Sequence, residues 1–179
     1  MLRVWPDLFK TFDNEGMHPL SYAALAGYHE SVHTILKRFP ECSYLVNKNG
    51  FYPIHLAAIK GYVRIIEEFL SQCPDTRELR NRKNQNILHL AAENGKVEAV
   101  KYIMRNPELQ ILINERDWQG NTPLHLASDV GQAKVVSVLT WDSRVKLEMR
   151  NDQGLMALDV AENFTQKMPS FREVRYLRT

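Results

Sequence analysis

The stretch GNTPLHLASDVGQAKVVSVL, Gly120 to Leu139, holds His125, Ser128 and Asp129 within one short run. Those are the residue types of a catalytic triad: an imidazole base, a hydroxyl nucleophile and a carboxylate to orient the base. A second candidate is the pair His29 and His33. They lie four apart on a stretch with helical apolar spacing, which puts both imidazoles on one face, either as a metal-binding pair or, the commoner case, as an exposed helical pair. No glycine-rich phosphate loop, CxxC pair or HExxH appears. Whether His125 does chemistry or supports a scaffold depends on its surroundings.

Those surroundings recur. Aligned on Leu124, the matching residues are Leu20, Ile54, Leu88 and Leu158, at successive spacings of 34, 34, 36 and 34. The first four segments read GMHPLSYAALAG, GFYPIHLAAIKG, NQNILHLAAENG and GNTPLHLASDVG; the fifth, GLMALDVAENF, is partial. Seven residues before each anchor stands Asp13, Asn47, Asn81, Asp117 or Asn151. Asp and Asn bond their own backbone two residues on and start tight turns. Gly16, Gly50, Gly120 and Gly154 follow three residues later, with Asn84 in that place in the third repeat. Asn tolerates the left-handed region that such a turn often needs.

Proline at 19, 53 and 123 suits the first turn of a short helix. The alanine pairs 23–24, 57–58 and 91–92 allow another helix to pack closely, and Gly27, Gly61, Gly95 and Gly131 end the short helix. Apolar residues such as Val63, Ile66, Phe69 and Leu70 then recur at helical steps, the buried face of a second helix. Pro6-Asp7, Pro40-Glu41, Pro74-Asp75 and Pro107-Glu108 mark one more row. The additional length of the long repeat therefore lies in the connector ELQILINERDWQG.

The composition fits a soluble protein: 25% charged, 44% hydrophobic and a net charge of +2. That balance calls for neither nucleic acid nor an anionic membrane as partner. Cys42 and Cys73 read as small, partly buried residues of a reducing compartment. No apolar run approaches the roughly 20 residues of a membrane span, and the N-terminus lacks the apolar core of an export signal.

The 34-residue period also suits tetratricopeptide repeats, but the aromatic and leucine pattern of that family is missing. TPLH with its turn and glycine resembles an ankyrin repeat array over about residues 12 to 163. The departures are Ser21 and Asp159 at the histidine, and His18, Tyr52, Asn86 and Met156 at the threonine. The resemblance implies an all-α fold, a solenoid of stacked helix-turn-helix units with β-turn or hairpin tips. It divides the chain into a remnant of a preceding repeat (1–12), the array (13–163) and a basic segment (164–179). It also implies that His55, His89 and His125 are structural, bonding the threonine of their own motif and backbone near the next repeat. Stacked helices lie about 8–10 Å apart, too far for one metal with bonds of about 2 Å to join neighbouring histidines. Ser128 stands where the first three repeats have alanine, so a small packed residue accounts for it.

GFYPIHLAAIKGYVRIIEEFLSQCPDTREL, NILHLAAENGKVEAVKYIM and SVLTWDSRVKLEMRNDQGLMALDVAENF are similar to plant ankyrin–membrane proteins of the accelerated-cell-death and salt-tolerance kind. That group carries a cytosolic array joined by a basic linker to a membrane-spanning module, and acts in defence and stress signalling. The resemblance implies a cytoplasmic, non-enzymatic interaction scaffold, with assembly onto membrane-anchored relatives as the alternative. No cofactor or metal is expected. Pro6 reads as the end of an earlier repeat, which leaves Leu2, Val4, Trp5 and Leu8 without their neighbours in a fragment or shortened product. Lys167, Arg172, Arg175 and Arg178 against Glu173 make the tail basic, either a solvated helix or a contact to a membrane surface.

Carried over from the family, the concave binding face falls on turn tips and the ends of first helices. In the second repeat these are Lys48, Asn49, Phe51, Ile59 and Lys60; in the third, Arg82, Lys83, Gln85, Glu93 and Asn94; in the fourth, Trp118, Gln119, Asn121 and Asp129. Trp118 reads as an interface anchor, or as packing against the inserted Ile111–Ile113. Arg80, Arg82 and Lys83 read as a basic spot for an acidic partner, or as a solvated face.

Overall fold

A computed structural model of the chain describes residues 11–167. Leu2, Val4, Trp5, Pro6, Asp7 and Leu8, the basic residues beyond 167 and the side chain of Lys167 lie outside that description. Two compact units divide the chain between Ile87 and Leu88.

The first unit holds α1 (Pro19–Ala26), α2 (His29–Arg38), α3 (Pro53–Lys60) and α4 (Val63–Gln72). A short 3-10 turn follows each second helix, at Pro40–Tyr44 and Pro74–Glu78. The first helices α1 and α3 pack on each other, and so do the second helices α2 and α4. The sequence reason is visible in what is buried. Ala23, Ala24, Ala57 and Ala58 let α1 and α3 approach, while Val32, Leu36, Ile65, Ile66 and Phe69 fill the layer beneath. Every first helix here starts on proline, whose missing N–H leaves no orphan donor.

The second unit takes up all of α5 (Ile87–Glu93) but its first residue, then α6 (Val97–Arg105), α7 (Pro123–Asp129), α8 (Ala133–Thr140) and α9 (Ala157–Lys167). Helix α9 packs on α7 and α8 packs on α6. The connector after α6 is a 3-10 stretch of eight residues, Pro107–Asn114, against five in the first unit. That is where the insertion was expected. Leu109, Leu112 and Ile113 are buried from it, so the added length brings its own apolar anchors. The boundary expected at 163 falls inside α9, which continues to Lys167. Its anchor Leu158 is exposed, whereas Leu20, Ile54, Leu88 and Leu124 are buried.

The tips are polar turns of one design. In each, one side-chain oxygen accepts two backbone N–H bonds, from the residues two and four further on. Asp13 takes Glu15 and Met17, both at 2.8 Å. Asn47 takes Asn49 and Phe51 at 3.0 and 2.9 Å, and Asn81 takes Lys83 and Gln85, both at 2.9 Å. Asp117 takes Gln119 and Asn121 at 2.9 Å, and Asn151 takes Gln153 and Leu155 at 3.1 Å. Among the described residues the backbone forms no strand, only an isolated bridge between Arg150 and Met156. The fold is thus the all-α repeat array that the spacing led to expect.

Asn84 is the one non-glycine with positive φ among the described residues, at 62°. Its side chain lowers the cost of a conformation that disfavours a Cβ. We expect Asn84→Gly to leave stability unchanged or slightly raised, and Asn84→Ala to cost about 1 kcal/mol, measured by urea unfolding.

Candidate functional site

His125 is 2% exposed, and both ring nitrogens are engaged. The Thr122 hydroxyl lies 2.8 Å from Nδ1, which also accepts the Thr122 backbone N–H at 3.3 Å. Nε2 lies 3.0 Å from the carbonyl of Leu155 in the next repeat, so it carries the proton and donates it there. No nitrogen is left for Ser128, which is itself buried, and Asp129 is exposed to solvent. The constellation that opened the question is a structural bracket.

The same bracket recurs. His55 Nε2 donates to the Leu79 carbonyl at 3.2 Å, and its Nδ1 accepts from the Tyr52 N–H at 3.3 Å. His89 Nε2 donates to the Asn121 carbonyl at 3.1 Å. The first repeat, where Ser21 holds the histidine position, uses His18 instead. Buried three residues earlier, it reaches the Leu45 carbonyl, 3.4 Å from Nε2. Threonine and histidine positions are here filled by His18 and Ser21, so hydroxyl and imidazole have changed places. Sequence reasoning treated His18 as a lost threonine and missed its linking role. The transposition is imperfect, because His18 Nδ1 and Ser21 Oγ are buried without a hydrogen-bond partner.

His29 and His33 meet a partner that helical spacing could not reveal. Glu68 on α4 places Oε2 3.3 Å from His29 Nε2 and Oε1 2.8 Å from His33 Nδ1. The carboxylate, also bonded by Gln72, fills the space between the imidazoles and joins α2 to α4. Among the described residues no group of three or more His, Cys, Asp or Glu is arranged to hold a metal ion. Cys42 and Cys73 are both buried free thiols.

The candidate partner-binding residues divide by environment. In the first unit Lys48, Lys60, Arg82 and Lys83 are exposed, and Phe51 and Ile59 are half-buried. Gln85 requires correction. At 3% exposed it has no surface to offer, because its Oε1 turns inward to accept from Asn81 Nδ2 at 2.9 Å. Arg80 also leaves the basic spot: it is half-buried and donates to the carbonyls of Arg77 and Leu79. In the second unit Trp118 and Asp129 are exposed and Glu93 is half-buried. Asn121 is half-buried and held within the turn, its Oδ1 accepting from Asn151 Nδ2 at 2.9 Å. Trp118 is 72% exposed, so it fills no core, and Ile111 within the insertion is just as exposed. Trp141, at 86% exposed on the C-cap of α8, is a second open indole that the sequence reading passed over. Its signal was its position off the apolar face that Val135 and Leu139 bury.

Burial lowers the pKa of His18, His55 and His125, and that of His55 falls to about 4. Between pH 6.5 and about 4 the unfolded His55 takes up a proton that the folded one refuses. Its stabilisation is therefore complete above 6.5 and is lost as pH falls toward 4, by up to about 3 kcal/mol. The melting temperature should fall over that window, and His55→Asn should flatten part of the slope. His125→Ala should cost about 1–3 kcal/mol at neutral pH by orphaning buried partners, read by thermal unfolding.

Comparison with known proteins agrees with this geometry. The family model described as ankyrin repeats (3 copies) matches residues 20–117 and, in a second register, 54–151. No curated protein matches the chain.

Proposed function

The chain belongs to the ankyrin-repeat family, and from that premise we propose that it is a non-enzymatic scaffold that binds protein partners through turn tips and first-helix ends. Ankyrin repeats generally mediate protein–protein interaction, and the fold supplies surfaces rather than reacting groups. The observation that carries the reading is Trp118, open to solvent on a polar turn held by Asp117. A rigid indole with no core to fill is the residue type most enriched at interface hot spots. The engagement of both His125 nitrogens supports the non-enzymatic part.

The finer placement, in plant defence or stress signalling in the cytosol, rests on the similarity of the GFYPIHLAAIKGYVRIIEEFL and DQGLMALDVAENF segments to plant ankyrin–membrane proteins. Assembly with membrane-anchored relatives, through their ankyrin arrays, rests on that same similarity. No helix among the described residues is long and apolar enough to cross a membrane.

The test is affinity capture from plant cells, followed by titration of each captured protein against purified chain. Trp118→Ala should weaken its partner by tenfold or more, the loss of about 1.4 kcal/mol or more expected of a hot spot, with the melting temperature unchanged. Partners that bind Trp118→Ala, Phe51→Ala and the parent chain equally would overturn the assignment to tips.

A further inference from the structure

We infer that the tips of the first unit form a docking strip for an acidic protein segment in the polyproline II conformation, with carboxylates three residues apart. This rests on the scaffold reading above and names the partner chemistry of its first-unit surface.

Successive tips here are stacked. The Lys48 N–H donates to the Glu15 carbonyl at 3.1 Å, and a Cβ on Gly16 would meet the Lys48 stem. A Cβ on Gly50 would likewise collide with the Arg82 side chain, so that stem lies along the tip before it. Laying the stems down restricts these long side chains before any partner arrives, which lowers the entropy lost on binding. Their charged heads stay in solvent.

Those heads are available. No ion pair engages Lys48, Lys60, Arg82 or Lys83 among the described residues. The Tyr22 hydroxyl, then the N–H groups of Met17 and Glu15, hold the Asp13 carboxyl low and occupy it, and Lys48 adds the smallest part. The tips of the second unit differ. Arg116 pairs with Asp152 at 2.8 Å and bonds the carbonyls of Gly120 and Arg150, and Arg150 bonds the Gly154 carbonyl. Their cations are spent on their own turn or on the adjacent one. Among the described tips, the cations left for an acidic partner are therefore those of the first unit, in a chain whose net charge is only +2.

The repeat pitch matches a polyproline II occupant. The first helices α1 and α3 pack on each other, and packed helices lie about 8–10 Å apart, which sets the pitch from one repeat to the next. A β-strand with acids three apart would aim them to opposite faces. A polyproline II helix repeats every three residues and rises about 3.1 Å per residue, so acids three apart share a face at about 9.3 Å. Phe51, half-buried directly after Gly50, offers apolar surface to the residues between. Glu15, one tip beyond, ends the basic run and makes the strip short.

The test uses the full chain and two labelled peptides of equal composition and charge, read by fluorescence anisotropy. One is Glu-Pro-Pro repeated four times; the other is a block peptide with all of those glutamates first and all of the prolines after them. The spaced peptide should bind about fivefold tighter, the margin of one added exposed ion pair, and should weaken as salt rises from about 0.05 to 0.5 M. Arg82→Gln/Lys83→Gln should remove that preference, while Trp118→Ala in the other unit should leave it intact. Equal affinity for both peptides, or an unchanged preference in the double variant, overturns the proposal. So does tighter binding of a single-stranded oligonucleotide or a phosphatidylserine vesicle that is lost with the same substitutions. If the strip fails in this way while captured partners still depend on Trp118, the scaffold reading stands without it.

Discussion

The bond from a buried imidazole to a carbonyl of the following repeat is the interaction on which the rest depends. Repeats of this kind bury their apolar faces only by stacking, and apolar contact is tolerant of sliding. A directional hydrogen bond is not. His55 to Leu79 and His125 to Leu155 fix the distance from one first helix to the chain entering the next. Because the donors are buried, losing one leaves a desolvated carbonyl as well as a missing bond. The same burial keeps the rings neutral, which ties the stability of the array to pH.

The first repeat shows that the constraint acts on the bond and not on the letter. His18 supplies an imidazole from the threonine position and still finds the Leu45 carbonyl. It does so at greater length and with an unpartnered Nδ1, so the transposed arrangement is the weaker one. Asp159 shows a second route: its carboxylate accepts the Met156 N–H at 2.8 Å and starts α9 without an imidazole.

With helices and turns held in this way, the tips carry the variable chemistry. The Asp or Asn side chain that closes each turn leaves the residues at its apex facing solvent, and those residues differ from repeat to repeat. Lys48, Arg82 and Lys83 are cationic, whereas Trp118 is a bare indole. The glycines that complete the turns have a second effect, since Gly16 and Gly50 leave room for the side chain arriving from the next tip. A turn requirement thus also determines how the charged stems lie.

The all-α class and the turn and helix order were legible in the sequence, because each is a local rule repeated in register, whereas the supporting role of the histidines came from the resemblance to ankyrin repeats. Asn84 in a left-handed turn and the insertion in Pro107–Asn114 follow from the same periodicity. What periodicity cannot supply is the partner brought by another repeat. Only tertiary packing set Glu68 between His29 and His33, drew Gln85 inward onto Asn81, and turned Arg80 and Arg116 onto nearby carbonyls. Each depends on a side chain from a different turn of the chain, or on a rotamer chosen among several. Residue type sets which bonds are available to a side chain, and the neighbours that folding brings decide which of them are made.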